Sequence, residues 1–155
     1  MEIKKTNHQI LLKGITCDKI EKVYTFEVYT IEGFNFKKDN LTCQHIKEGQ
    51  AGLYMFSYRY VVRIFKTNEN REHNFFHALL YLGMADNLQK RPFNLKHEKF
   101  NDLIKTSCNS ISIYQCSKTE KPKEIESNIL RYYNFKFNEQ ENENAKGLPI
   151  SEAEG

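Results

Sequence analysis

The sequence predicts an α+β domain behind a β-rich N-terminal extension, and three observations carry that reading. Residues 23–31 alternate between apolar and polar positions, as a half-buried strand does. Two apolar runs rich in Tyr, Phe, Val and Ile begin at Gly52 and Phe75 and flank a charged stretch, the pattern of a hairpin. Farther on, Ile125, Ile129 and Tyr132 fall at i, i+4 and i+7 behind a proline, which marks an amphipathic helix with one buried stripe.

In chain order, Tyr24, Phe26 and Val28 lie on one face of the first strand and Val23, Thr25, Glu27 and Tyr29 on the other. Glu32-Gly33 reads as a turn into a short strand at residues 34–36, and the polar residues 39–50 as a connection. Residues 1–50 are therefore a β-rich extension without a catalytic motif. Residues 52–65 make the next strand, residues 67–74 a polar loop and residues 75–83 the returning strand. Asp86 is placed to cap a short helical turn holding Leu88 and Arg91. Pro92 should break that turn, because a proline inside a helix costs about 3 kcal/mol. The helix is expected to restart near Asn94, with Phe100, Leu103 and Ile104 on one face. Residues 110–116 read as a further strand. Thr119 can cap the last helix, with Pro122 in its first turn, where the missing N–H is harmless. Residues 139–155 are rich in Glu and Asn and are expected to be disordered.

At 155 residues the chain is long enough for one core. Nothing approaches the roughly 20 apolar residues of a membrane span, and the first residues lack a secretory signal. A cytoplasmic protein is the default expectation, without a membrane partner. Cysteines at 17, 43, 108 and 116 have no zinc-site spacing and read as small buried thiols. The net charge is +3, but residues 139–155 hold five glutamates against one lysine, a net −4, which leaves +7 on the rest. A basic body suits a polyanionic partner.

Gly52-Leu53-Tyr54 and Tyr81-Leu82-Gly83 are followed by Asn87-Leu88-Gln89-Lys90-Arg91, and then by a segment running from Glu126 through Asn128 and Tyr133 to Asn138. This ordered set, over residues 51–138, resembles the GIY-YIG nuclease superfamily. The last segment is similar to the E-x-N-L-I-K-x-Y-x-P-x-Y-N pattern of a bacterial excision-repair nuclease, with Phe135 where that pattern has proline. The tyrosines stand 27 residues apart, a separation nearer to that of some restriction members. Leu95 occupies the position, four residues after the arginine, where many members carry histidine; His77 and His97 are the available substitutes.

The resemblance implies a small three-stranded antiparallel sheet flanked by helices, and phosphodiester hydrolysis in DNA. Its site would comprise Tyr54, Tyr81, Arg91, Glu126 and Asn138, with Glu126 binding Mg²⁺ or Mn²⁺. A hard cation of this kind suits one carboxylate and several waters. Arg91 would meet charge on the phosphate. The tyrosines would activate or orient water, although ionising a phenol of pKa about 10 at neutral pH costs about 4 kcal/mol. Asn138 would hydrogen-bond within the site or hold Glu126 in place. Taken singly, each of these residues has an ordinary packing or solvation role; their order and spacing carry the functional reading. The alternative is a catalytically weak or inactive nucleic-acid-binding module on the same fold. A protein-binding scaffold without a nucleic-acid role ranks third. The extension could supply sequence recognition or a homodimer interface in any of the three.

Overall fold

A computed structural model of the chain describes residues 3–31, 46–65, 71–93, 108–138 and 149–154. Five strands carry the architecture: β1 (Lys4–Ile15), β2 (Glu21–Thr30), β3 (Gly52–Phe65), β4 (Arg71–Ala85) and β5 (Ser110–Gln115). Helix α1 (Pro122–Leu130) follows, then two short strands, β6 (Ile150–Ser151) and β7 (Ala153–Glu154). The expectation of an α+β fold, a three-stranded antiparallel sheet flanked by helices, is overturned. Among the described residues strand accounts for 54% and helix for 11%, with one α-helix, and the strands form a nearly closed six-stranded antiparallel barrel.

The three strands of the expected sheet are neighbours, in the order β4-β3-β5, but the sheet does not stop there. An open strand edge presents a row of unpaired backbone groups. That of β5 is taken by β2, with Glu27 opposite Ile113 and Tyr29 opposite Ile111. β1 then pairs with the other edge of β2. The extension is thus continuous with the sheet, and β1 is a strand that alternation alone did not mark.

Other local expectations are met or revised in physical terms. β3 spans the expected residues, whereas β4 begins at Arg71 and so includes part of the stretch read as loop. Helix α1 begins with Pro122 in its first turn, but Lys121 is its N-cap, without a side-chain cap bond. Thr119 bonds Ser117 instead (Oγ1–Oγ 3.2 Å), in the turn before the helix. Asn87 rather than Asp86 organises the turn after β4, its Oδ1 accepting from the amides of Gln89 and Gly49. Pro92 lies inside a short 3-10 turn, Arg91–Phe93. The strand expected at residues 34–36 and the helix expected from Asn94 through Phe100, Leu103 and Ile104 lie outside the described residues, as do Leu95, His97 and Cys43. Among the described residues, no helix is long and apolar enough to cross a membrane. Cys116 is buried and Cys17 exposed; burial pushes the Cys108 and Cys116 thiols up to about 12 and about 11.

Two apolar clusters lie on opposite faces of the β-layer. Ile10, Leu12, Tyr24, Phe26, Val28, Leu53, Met55, Leu79 and Leu82 join Ile125, Ile129 and Leu130 of α1 in the larger. It draws on β1 to β4 and the helix, as the filling of a barrel must. Alternate residues of the same strands, among them Tyr29, Tyr54, Phe56, Leu80, Ile111 and Ile113, form the second cluster on the outer face. Helix α1 is tied to β1 by polar contacts: Arg131 Nη1 donates to the Ile15 carbonyl (3.1 Å) and the Tyr133 hydroxyl accepts from the Lys13 amide (3.1 Å).

The barrel closes through residues 150–154, part of the tail for which disorder was expected. Ile150 and Ser151 pair with His77 and Phe76 of β4, while Ala153 and Glu154 pair with Gln9 and His8 of β1. One short segment therefore bridges both edges of the sheet. Between the two pairings Glu152 sends its carboxylate into the barrel, where the side chain is 2% exposed. Arg59 grips both oxygens (Nε–Oε1 2.6 Å, Nη2–Oε2 3.1 Å), His77 Nε2 lies 2.6 Å from Oε1, and His8 Nδ1 lies 2.7 Å from Oε2. The Ser57 hydroxyl completes the chain, 2.6 Å from His77 Nδ1.

Both buried titrating groups make the closure acid-sensitive. Burial works to raise the Glu152 carboxyl, but hydrogen bonds from His77 and Arg59, with their charge, hold it down to about 2. Burial keeps the His77 imidazole below its ordinary 6.5, against the opposing pull of Glu152. In each case the unfolded chain takes up its proton at a higher pH than the native one, so stability is complete above the unfolded value and falls with acid. Urea midpoints measured from about pH 8 downward should decline below 6.5, from His77, and again from about 4.5 toward 2, from Glu152. Glu152→Gln should lower the neutral plateau and remove the lower step; an acid profile unchanged by that substitution would contradict this account.

Candidate functional site

The site suggested by the sequence lies at the Gly52–Gly83 end of the β3–β4 ribbon, on the outer face. Tyr54 of β3 is 1% exposed there, its ring 5.7 Å from that of Phe56 and 6.2 Å from that of Tyr81. That Tyr81 shares this face follows from an irregularity in β4. Phe56 pairs with Tyr81 but Ser57 pairs with Leu79, so Leu80 is an extra residue. Such a bulge shifts the phase of a strand and re-aims its side chains. With strict alternation Tyr81 would follow Leu79 into the barrel. With the bulge, Leu80 and Tyr81 both belong to the outer cluster, and Leu82 returns to the interior.

Both glycines of the paired tripeptides are there because neighbours lie where a Cβ would stand. Opposite Tyr54 in register is Gly83, and a Cβ on it would come within 2.5 Å of the phenol's Cζ and hydroxyl oxygen. The Tyr54 ring thus lies across the bare backbone of β4. On β3, a Cβ at Gly52 would collide with the Tyr114 carbonyl oxygen of β5.

Arg91 comes to this end through the turn after β4. The Leu88 amide bonds the Gln50 carbonyl (2.9 Å) and Leu88 is fully buried, so the turn is held against the start of β3. Arg91 itself is exposed. Glu126, half-buried, arrives on α1. Burial raises the Tyr54 phenol well above its ordinary 10, and the remaining influences identify its neighbours: Tyr81, whose phenol shares a hydrogen bond with it, Arg91, whose charge opposes the rise, and Glu126, whose charge adds to it. Three of the other four residues, from three separate segments, therefore act electrostatically on the Tyr54 hydroxyl.

Of the two roles the resemblance implied for Asn138, a hydrogen bond within the site or a hold on Glu126, its described bonds are to β4 rather than to Glu126. The Asn138 side chain pairs in both directions with the backbone of Leu82, Oδ1 accepting from the amide and Nδ2 donating to the carbonyl, each at 2.9 Å. With the Phe137 amide on the Leu80 carbonyl (2.8 Å), it braces β4 on either side of Tyr81. Other matched residues of that segment dock the helix: Asn128 donates to the Tyr24 hydroxyl (3.2 Å) and Tyr133 bonds β1. His77 is not available to the tyrosine site. It is six residues from Gly83 along β4, roughly 20 Å, fully buried and engaged with Ser57 and Glu152.

Among the described residues, no three His, Cys, Asp or Glu side chains gather to hold a metal. A largely hydrated Mg²⁺ does not require such a group. The Glu126 carboxylate forms no hydrogen bond or ion pair among the described residues; burial raises it above the ordinary carboxylate value, and the charge of Lys123 works against that rise. A half-buried anion in this state fits a divalent cation as its counter-charge.

Reading along the sequence missed the second polar cluster, built of His8, Ser57, Arg59, His77 and Glu152. Its members span 144 residues and share no local pattern, and Glu152 stands in a segment that composition marked as unstructured. Compared with protein-family models, with curated proteins and with solved structures, the chain has no match in any of the three.

The fit of the Tyr54 ring over Gly83 leads to a direct test. Gly83→Ala should lower stability by about 1–3 kcal/mol, the usual cost of overpacking, measured by urea denaturation. It should also displace the phenol, read as a change in tyrosine fluorescence. A variant as stable as the parent would show that the ring moves aside without cost.

Proposed function

We propose that this chain is a divalent-metal-dependent endonuclease that hydrolyses phosphodiester bonds in DNA. The observation that supports this reading is the convergence of Tyr81, Arg91 and Glu126 on the Tyr54 hydroxyl. Local folding gives no reason for an arginine and a glutamate from distant segments, neither ion-paired among the described residues, to lie within electrostatic reach of one phenol.

In this reading Arg91, exposed and always charged, grips the scissile phosphate with its forked donors and offsets charge that grows during attack. Tyr81, the less buried of the two phenols, faces the attacking water and orients it. Tyr54, buried behind it, remains protonated and fixes the Tyr81 hydroxyl through their shared hydrogen bond. Asn138 is a positioning residue that holds the β4 backbone next to Tyr81. Glu126 would hold Mg²⁺ or Mn²⁺, and a cation bound there would act as a Lewis acid toward the phosphate and its leaving oxygen. The basic body, +7 outside the acidic tail, favours a polyanion.

One observation favours a second reading, a catalytically weak or inactive nucleic-acid-binding module. His77, a candidate for the family histidine, is committed to closing the barrel. Binding without turnover would then be salt-sensitive, through counterion release, and indifferent to Mg²⁺.

Plasmid nicking with Mg²⁺, Mn²⁺ or EDTA separates the two. Metal-dependent cleavage should fall about 10²–10³-fold in Arg91→Ala, the usual loss for a donor to the transition state, and should vanish in Glu126→Ala. Cleavage that survives Glu126→Ala undiminished would end the nuclease proposal, whereas salt-sensitive retention without cleavage would favour the binding module.

A further inference from the structure

The seam between β1 and β4 has the features of a binding groove. It offers two strand edges, and the described backbone pairing across it is short: His77 and Phe76 on one side, His8 and Gln9 on the other. The Glu152 amide adds one bond, to the Phe75 carbonyl (2.9 Å). Specificity comes from below. Arg59, from β3, and His77, from β4, are 16% and 0% exposed and, with His8 from β1 at 30%, converge on one carboxylate. Strand addition commonly works in this way, with backbone bonds giving affinity and pockets for alternate side chains giving selectivity. Here the alternate side chain is Glu152; the residues on either side of it, Ser151 and Ala153, are small.

The groove is also separate from the tyrosine site. Its centre at His77 is six residues along β4 from Gly83, roughly 20 Å. The Phe75 ring, with the Arg59 guanidinium 3.8 Å from its centroid, extends the groove's floor. Phe75 and Arg59 also line an adjoining cleft of about 380 Å³ with Thr30, Tyr58 and Asn109. A cleft beside the seam gives an incoming chain somewhere to run on.

We infer that this seam is a strand-addition site for an extended acidic peptide carrying a glutamate between small residues, and that the chain's own residues 150–154 occupy it as a releasable resident. The Arg59 guanidinium, the two imidazoles and the strand edges that residues 150–154 now pair set the partner's chemistry: an extended backbone, one carboxylate directed inward, and no bulk beside it. Each backbone pairing of the resident segment is two residues long, the shortest among the described strands, so its release turns on the Glu152 anchor.

Two measurements test this, the second on the unaltered chain. A fluorescent peptide covering residues 147–155 should bind the full chain carrying Glu152→Ala at least tenfold more tightly than the unaltered chain, whose own segment competes. Replacing the peptide's glutamate by alanine, or adding Arg59→Ala to the protein, should weaken binding at least tenfold. Equal binding of the alanine peptide, or no binding to a Glu152→Ala chain that keeps its native circular dichroism, would overturn the proposal. Concentration-dependent dimers that the peptide cannot dissolve would also overturn it, in favour of exchange between copies. In the unaltered chain, the Glu152 amide should exchange with deuterium at least tenfold faster than the Leu53 to Phe56 amides of β3. Equal rates would mean that the seam opens only when the whole protein unfolds, and would refute a releasable resident whether or not the variants fold.

Discussion

A single buried carboxylate closes this protein. Glu152 places a negative charge inside a barrel, where an unpaired charge is strongly disfavoured, and it is accommodated because Arg59, His77 and His8 reach it from three different strands. Arg59 and His77, far less exposed than His8, would in turn be a liability without it. Buried ion pairs gain little over apolar packing but are costly to break from one side. The arrangement is therefore better understood as specifying geometry than as adding stability. It selects which segment lies between β1 and β4, and the rest of the barrel's filling follows from that closure.

From closure comes the division of labour between the two faces. Inside, Leu53, Met55, Leu79 and Leu82 pack with β1, β2 and α1. Outside, Tyr54, Phe56 and Leu80 form a second core, and the outer layer is where chemically useful groups gather. The bulge at Leu80 transfers Tyr81 from one environment to the other. One inserted residue thus converts a would-be interior tyrosine into the partner of Tyr54. Asn138 then braces the backbone beside it. The two polar assemblies sit at different points of β4, one at its middle and one toward its C-terminal end, and share no side chain, so barrel closure and the tyrosine site can vary independently.

Much of the local structure was legible along the chain. The alternation of Tyr24, Phe26 and Val28 marked β2, and all three are buried. The aromatic and β-branched run from Gly52 marked β3, and the Ile125–Ile129 spacing marked α1. Tyr54, Tyr81, Arg91 and Glu126 could be named as an ordered set along the chain, but their arrangement in space could not. Less was legible where side-chain contacts outweigh composition. Asp86 and Thr119 are both good capping types, yet Asn87 bonds the Gln89 amide and Lys121 is the N-cap of α1.

The sequence by itself determined where β2, β3, β5 and α1 run and which of their faces are apolar, because side-chain periodicity reports burial directly. It did not determine which edge pairs with which, since backbone hydrogen bonds are the same for every residue type. Hence a barrel appeared where a three-stranded sheet with flanking helices was expected. Only the tertiary structure decided that a segment of glutamates and small residues would be a strand. Its two-residue pairings carry no period to read, and Glu152 is stabilised by an arginine and two histidines that lie far away in sequence.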